Sequence, residues 1–205
     1  MQPDFATAAQ LRSRAQAFAG ARSLSVDQAL ERHAQLDGPR YDVFLSQAIR
    51  DKDLVLGVYA TLSEDLGLKV FCDWVEAQDN DHAITTVRDA AQLREKLRAS
   101  NALVFIDSDH AGASTWMSWE IGWFDAAKSR ICVLPIVEDR GQGHRGREFL
   151  GLYPVATPDE HHSFMVSVPL RKVAGAYPNG TALGIATRIP MALWASMDQV
   201  PGYFL

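Results

Sequence analysis

The sequence predicts an α/β fold in which helices cover both faces of a parallel β-sheet. Between residues 40 and 137, short apolar runs alternate with longer segments that have the periodicity of amphipathic helices. The apolar runs contain few polar residues, which is typical of strands buried on both faces of a sheet. Strands that alternate with helices in this way usually pair in parallel, because each helix carries the chain back to the starting edge.

Four strands and three helices make up this pattern. The strand-like runs are residues 41–46, 69–73, 101–106 and 130–137. The segment 54–66 has an apolar residue at every fourth position, and its helix is expected to end at Gly67. A second apolar stripe extends from Val87 to Leu97, and a third helix is expected over residues 115–128.

Residues 1–39 are predicted to form a helical N-terminal extension. Helix-forming residues dominate there, and Gly20 separates two helices. Ser25 and Gln28 have the spacing of a capping box at the start of the second helix. Because large apolar side chains are few, we expect surface helices that pack on the main domain or on another subunit.

Residues 40–205 are assigned to one domain, whose last part, 138–205, is expected to be an irregular extension. Prolines are frequent there, and neither helical nor strand periodicity is evident. A strand near residues 163–168 and a short helix or turn at 191–197 are the exceptions. The glycine- and arginine-rich segment 138–148 is expected to be a surface loop, with contact to a phosphate as the alternative.

The composition excludes several classes of protein. The 205 residues are 47% hydrophobic and 22% charged, which is the balance of an ordinary globular domain. The net charge of −5 argues against a general nucleic-acid binder. A membrane span and a secretory signal are not expected, so the predicted location is the cytoplasm. Cys72 and Cys132 lie in strand-like runs and are expected to be reduced core residues, and the scattered histidines predict no metal site.

Glu120 is out of place in the third predicted helix. At roughly 100° per residue, one face of this helix carries polar or small residues, namely Ser118, Gly122, Asp125 and Ser129. Glu120 lies on the opposite side, near Trp116 and Trp123. Burying a carboxylate without a partner costs several kcal/mol. Two explanations are open: a structural ion pair or a side chain that reaches the surface, and an acid in an aromatic-walled pocket.

These segments resemble a bacterial Toll/interleukin-1 receptor (TIR) domain. Asp42–Ser46 resembles the first strand, Lys69–Trp74 the second strand entering the so-called BB loop, and Ser100–Ile106 the third strand. Ser114–Gly122 contains the Trp-x-x-x-Glu signature, followed by Ile-Gly as in many bacterial members. The resemblance covers roughly residues 40–137, or about half of the chain, and the four fragments occur in the family's order.

The resemblance implies a flavodoxin-like fold and a small set of functional residues. Some TIR domains are adaptors, while others cleave the nicotinamide–ribose bond of NAD+ with the glutamate of the signature, which corresponds to Glu120. Phe44, Ser46, Asp73 and Trp116 are the predicted substrate-binding residues. Ser46 and Asp73 stand at strand ends, where they either line the site or serve only as turn and cap residues. No cofactor is expected, since NAD+ is the substrate.

A single carboxylate suits this reaction. Ordinary glycosidases need a second acid to protonate the leaving oxygen. Nicotinamide is a pyridinium cation within NAD+ and leaves as a neutral molecule, so no proton has to be supplied. One anion is able to hold the ribose hydroxyls and to stabilise the oxocarbenium-like transition state. The lack of an evident second acid beside Glu120 is therefore compatible with catalysis.

The leading functional prediction is an NAD+ glycohydrolase or ADP-ribosyl cyclase in bacterial antiphage defence. The resemblance implies a homo-oligomer formed by TIR–TIR contacts and a downstream effector that responds to a cyclic ADP-ribose signal. The alternatives are a non-catalytic TIR interaction module and an enzyme similar to nucleoside deoxyribosyltransferases. Two features depart from the family: the segment Val75–Thr86 lacks Pro and Gly, and Gln47 replaces a His or aromatic residue.

Overall fold

The computed structural model describes residues 4–34, 38–72, 87–144, 148–161, 163–169 and 186–197. Within these ranges, eight strands form one mixed sheet. The strands are β1 (Ala6–Thr7), β2 (Tyr41–Ser46), β3 (Val70–Cys72), β4 (Ser100–Asp107), β5 (Ile131–Val137), β6 (Val155–Pro158), β7 (Phe164–Pro169) and β8 (Ala186–Pro190). The α-helices are α1 (Ala8–Gly20), α2 (Val26–Ala34), α3 (Lys52–Ala60), α4 (Val87–Ala99), α5 (Thr115–Ala127) and α6 (Met191–Ser196).

The strand order is β3-β2-β4-β5-β6-β7-β8, and β1 pairs with the end of β5. The pairs from β3 to β6 are parallel, whereas β7 and β8 are antiparallel. Counted from β2, the parallel part has the 2-1-3-4-5 order of flavodoxin-like folds. The predicted α/β fold is therefore confirmed. In such sheets, ligands bind outside the carboxyl ends of the strands where the order reverses, here between β2 and β4.

Hydrophobic side chains fill both sides of the sheet. On β2, Val43 and Leu45 belong to the core beneath α1, α2, α3 and α6, whereas Phe44 belongs to the core beneath α4 and α5. This alternation follows from the two-residue period of a strand. It places Ser46, the last residue of β2, on the α5 side of the sheet.

The N-terminal region forms the two predicted helices, and α1 ends at Gly20. The capping box is present, since the Ser25 amide donates to Gln28 Oε1 at 2.9 Å and the Gln28 amide to Ser25 Oγ at 3.2 Å. The expectation of surface helices that pack on the main domain is confirmed for α1, which buries one face and exposes the other. A Cβ atom on Gly57 of α3 would lie 2.2 Å from the Leu11 carbonyl oxygen. The lack of a side chain at Gly57 therefore permits the close approach of the two helices.

The C-terminal part is more regular than the sequence predicts. The strand expected near residues 163–168 and the short helix at 191–197 are present as β7 and α6. The expected irregular extension was wrong for residues 155–158 and 186–190, which form β6 and β8 and continue the sheet. These strands have only four and five residues and few large apolar side chains, so they lack the long apolar runs by which the buried strands are recognised.

Three further predictions concern the end of α3, the two cysteines and membrane-spanning helices. Helix α3 continues as a π-helical turn over Thr61–Asp65, and Gly67 follows with a φ of +67°, as its predicted role at the helix end requires. Cys72 and Cys132 are buried and form no disulfide, and burial raises the pKa of the Cys132 thiol. Among the described residues, none of the helices is long and apolar enough to cross a membrane.

Candidate active site

Glu120 is buried on the inner face of α5. The helix begins after Ser114, whose Oγ accepts a hydrogen bond from the Met117 amide at 3.3 Å. Glu120 is only 7% exposed and shares the buried face with Met117, Ile121 and Phe124. The prediction that this carboxylate lies on the interior side is confirmed.

The buried carboxylate is hydrogen-bonded to a residue from the sheet. Ser46 Oγ donates to Glu120 Oε2 at 2.6 Å, although the two residues are 74 positions apart in the sequence. Ser46 is 1% exposed. Hydrogen bonds from a hydroxyl to an ionised carboxylate are shorter and stronger than neutral ones. The structure therefore brings together two of the predicted site residues at the carboxyl end of β2.

The other predicted substrate-binding residues have different positions. Phe44 is 1% exposed and lies two residues before Ser46 on the same side of β2, with its ring centroid 5.3 Å from that of Phe71. It belongs to the core directly below the Ser46–Glu120 pair. Asp73 and the segment Val75–Thr86 lie outside the described residues.

Trp116 lies at the margin of the buried face of α5. It is half-buried, and its ring meets that of Trp119 edge to face at 5.3 Å. The Arg94 guanidinium lies 5.4 Å from the centre of the Trp119 ring, within the range of cation–π contacts. Trp116 is thus less enclosed than the core, and part of its indole is accessible.

A polar cleft of about 410 Å³ lies at the carboxyl ends of β4 and β5. Asp51, which follows β2, supplies a buried carboxylate to this cleft. Its Oδ1 is 2.6 Å from His110 Nδ1, and its Oδ2 accepts a hydrogen bond from Ser108 Oγ. The cleft therefore contains a serine–aspartate–histidine chain built from the ends of two adjacent strands.

A second histidine–carboxylate pair lines the same cleft. His144 Nε2 is 2.7 Å from Asp107 Oδ2, and the Asp107 side chain is 3% exposed. His144 lies in the predicted 138–148 loop and packs edge-on against Phe5, with ring centroids 5.8 Å apart. Arg12 of α1 and Glu138 also line the cleft and form an exposed ion pair at 3.6 Å.

The cleft and the Ser46–Glu120 pair share one edge of the sheet. Ser46 is in register with Phe105, and Asp107 lies two residues further along β4. Strand spacing and rise then put the Cα atoms of Ser46 and Asp107 roughly 8 Å apart. Glu120 does not itself line the cleft.

Sequence reasoning missed most of the cleft. It singled out neither His110 nor Asp51. The signal available was position, since Asp107, Ser108 and His110 directly follow a strand that ends at the functional edge. Nothing in the sequence pairs His144 with Asp107. No group of three or more potential metal ligands occurs in the part of the chain that the structure describes.

One curated protein with a named activity is similar to this chain. Over 115 residues the chain is 36% identical to the probable 3' cyclic ADP-D-ribose synthase ThsB' of Bacillus cereus (strain MSX-D12). The match covers 56% of this chain and 59% of that protein, so this chain spans about three fifths of its relative's length. No known protein-family profile matches the chain.

A solved structure with some likeness is the TIR domain of the Toll-related receptor TRR-2 from Hydra magnipapillata. It is 18% identical, covers 54% of this chain and 78% of its own, and superposes with a TM-score of 0.38. The assignment of the fold rests on the strand order and not on this superposition.

Proposed function

We propose that this chain is a TIR-type enzyme that cleaves the nicotinamide–ribose bond of NAD+, with Glu120 as its catalytic residue. The observation that carries the proposal is the buried Ser46–Glu120 hydrogen bond at the carboxyl edge of the sheet, within a Trp-x-x-x-Glu sequence. Burying a carboxylate is costly, so a buried carboxylate at this edge of the sheet favours a chemical role over a packing role. The relative's printed name supports the same chemistry.

The geometry accounts for the roles of the two residues. Cleavage breaks the bond between ribose C1 and the pyridinium nitrogen, and the bonding electrons remain on nitrogen, so nicotinamide leaves neutral. Positive charge then develops on the ribose ring. The Glu120 carboxylate stabilises that charge in a site screened from water, where electrostatic interactions are strong. The hydrogen bond from Ser46 fixes Oε2, so the carboxylate is oriented before the substrate binds.

The product is the second part of the proposal. The relative is named a 3' cyclic ADP-D-ribose synthase, and we extend this product class to the present chain. Cyclisation releases one proton and nicotinamide for each NAD+ consumed. A soluble nucleotide of this kind is suited to act as a signal, so we assign the protein to antiphage defence in the bacterial cytoplasm, upstream of an effector that responds to the cyclic product.

Assembly into a homo-oligomer is the third part. TIR-like enzymes commonly complete their site with a segment of a neighbouring subunit, and Trp74–Thr86 is the candidate segment. The specific activity should therefore rise with protein concentration across the range in which light scattering shows oligomers forming. A constant specific activity across that transition would contradict assembly-dependent catalysis.

The experiment that tests the enzyme itself is the release of nicotinamide from NAD+. Glu120→Gln keeps the side-chain size but removes the charge, and it should lower turnover more than about 100-fold with little change in melting temperature. Glu95→Gln is the matched control, since Glu95 is 70% exposed on α4 and pairs only with Arg98. Loss of a surface pair of this kind should change turnover by less than about twofold.

Two results would overturn the proposal. If the wild-type chain releases no nicotinamide at any protein concentration, the chain is a non-catalytic TIR interaction module. If Glu120→Gln retains more than about a tenth of wild-type turnover, less than about 1.4 kcal/mol of transition-state stabilisation is lost, and Glu120 is not the catalytic group.

A further inference from the structure

The cleft beside the candidate active site has the composition of a site for a hydroxyl-bearing ligand. Its volume of about 410 Å³ falls within the roughly 300–1,000 Å³ of small-molecule sites. Carboxylates and imidazoles dominate the polar lining, and both accept hydrogen bonds from sugar hydroxyls. The guanidinium of Arg12 is engaged by Glu138 and leaves the cleft without an excess of positive charge.

His110 is oriented in this cleft as a base. Its Nδ1 lies 2.6 Å from Asp51 Oδ1, and a carboxylate acceptor places the imidazole proton on Nδ1. Nε2 then carries the lone pair, and it makes no hydrogen bond to any residue that the structure describes. The His110 side chain is 49% exposed, whereas that of Asp51 is 4% exposed. A buried acceptor that orients an accessible imidazole is the arrangement used in general-base catalysis.

Ser108 holds the Asp51 carboxylate that orients the His110 imidazole. Its hydroxyl donates to Asp51 Oδ2, so the two oxygens of the aspartate have separate partners. Both Ser108 and Asp51 are buried, and neither side chain is free to rotate without breaking a hydrogen bond. The imidazole plane is therefore fixed by two buried side chains at the cleft wall.

The second histidine differs in orientation. His144 directs Nε2 towards Asp107, and its side chain is 17% exposed. Both histidines line the cleft, but the nitrogen that is not paired with a carboxylate is Nε2 in His110 and Nδ1 in His144. The two imidazoles are therefore distinguishable by experiment, although both are paired with a carboxylate.

We propose that the cleft binds the adenine-side ribose of NAD+ and that His110 is the general base for ring closure. This proposal rests on the proposed cleavage at Glu120. After the C1–N bond breaks, a hydroxyl oxygen of the adenine-side ribose forms a new bond to C1 of the nicotinamide-side ribose. His110 Nε2 accepts the proton of that hydroxyl and later releases it to solvent, so the products are nicotinamide, a cyclic ADP-ribose and one proton.

The positions of the residues at the sheet edge support cleavage at Glu120 and ring closure at His110. Ser46 and Asp107 lie roughly 8 Å apart on adjacent strands, by strand spacing and rise. Ring closure requires the two riboses to meet, and the diphosphate of a bent dinucleotide lets the ribose at the cleft reach C1 of the ribose at Glu120. Without a base at the second ribose, water is the competing nucleophile and the product is linear ADP-ribose. His110 would thus decide between the two products.

The test measures the ratio of cyclic to linear ADP-ribose by chromatography of complete reactions of the full chain with NAD+. Each cleaved NAD+ releases one nicotinamide, so the two products should add up to the nicotinamide released. The product ratio then does not depend on how fast a variant cleaves NAD+. His110→Gln should lower this ratio at least about tenfold, which is at the low end for losing a general base. His161→Gln is the matched control, because His161 is 82% exposed in the turn between β6 and β7. Its ratio should equal that of the wild type.

Each other outcome has a defined meaning. An unchanged ratio in His110→Gln, or a ratio that rises because water is the nucleophile that His110 activates, overturns the proposal while leaving cleavage at Glu120 intact. Exclusively linear product from the wild type also overturns it. Absence of nicotinamide release from the wild type refutes the proposed function and the present inference together. If His110→Gln does not fold by circular dichroism, Asp51→Asn provides the same measurement through the imidazole tautomer.

Discussion

Two buried carboxylates at one edge of the sheet are each hydrogen-bonded to a serine, but their other neighbours differ. Glu120 and Asp51 are both buried, and each accepts a hydrogen bond from a buried serine, Ser46 or Ser108. Glu120 lies within a helix beside aromatic rings. Asp51 lies at the cleft and has His110 as a second partner. A serine–carboxylate pair therefore has no fixed role. The groups around the pair, such as the imidazole of His110 beside Asp51, determine its chemistry.

The difference in electrostatic function follows from this. A carboxylate beside the reacting carbon stabilises a cation that forms there. A carboxylate whose two oxygens are both engaged by donors fixes the orientation of those donors instead. On this basis Glu120 should control whether NAD+ is cleaved, and Asp51 should control which product forms.

The largest effect should come from moving the Glu120 charge. Glu120→Asp keeps the carboxylate but withdraws it by one methylene, and it should reduce nicotinamide release about 100-fold, since misplacement by about 1 Å costs that much. Steady-state rates of nicotinamide release, with melting temperature as the control for folding, check this. Activity close to that of the wild type would mean that position is unimportant and that the two carboxylates differ less than we argue.

Asp51→Asn should change the product ratio and not merely the rate. If the amide NH2 faces His110 Nδ1, the imidazole proton moves to Nε2, and the basic lone pair no longer faces the cleft. The ratio of cyclic to linear product should fall about tenfold, comparable with loss of a base through the wrong tautomer. A variant with the wild-type ratio would show that Asp51 has only a structural role.

The two serines offer a matched pair of smaller changes. Ser46→Ala should lower nicotinamide release about tenfold, because a hydrogen bond to a charged group contributes roughly 1.5–3 kcal/mol. Ser108→Ala should lower the cyclic-to-linear ratio by about threefold, since His110 still binds Asp51 after the change. Rates and ratios are measured on both variants. If each serine affects both quantities equally, the two carboxylates act as a single site.

The smallest effect is expected at Trp116. Trp116→Phe preserves most of the apolar volume, so the melting temperature should stay close to that of the wild type. If the indole contacts the substrate, nicotinamide release should fall about fivefold, equivalent to about 1 kcal/mol of aromatic contact. Unchanged melting and unchanged turnover would assign Trp116 to packing alone.

The sequence predicted the buried strands and the buried carboxylate, because burial on both faces of a sheet requires a continuous run of apolar residues. Strands β2, β4 and β5 are buried on both faces and read as apolar runs, and Glu120 was conspicuous because it interrupts an apolar face. The pairing of Glu120 with Ser46 follows from the shared sheet edge and was anticipated only as proximity. The catalytic and substrate-binding roles of these residues stay predictions.

The remaining features depend on contacts that no local pattern encodes. Asp51 and His110 are 59 positions apart, and each reads as an ordinary polar loop residue. The close contact of α1 with Gly57 was not predicted, because alanines are compatible with both loosely and tightly packed helices. β6 and β8 were missed because strands of four and five residues with few large apolar side chains carry a weak signal.

The contact between α1 and α3 has a consequence for the cleft. The Leu11 carbonyl occupies the space that a side chain at Gly57 would need, so the two helices are at their minimum separation. Arg12, the next residue of α1, lines the cleft, as does Leu54 of α3. The same two helices that meet at Gly57 thus both contribute to the lining of the cleft. The width of the cleft therefore depends on the spacing of α1 and α3. A methyl group added at residue 57 would push the two helices apart and change the size of the cleft, although residue 57 itself does not line it.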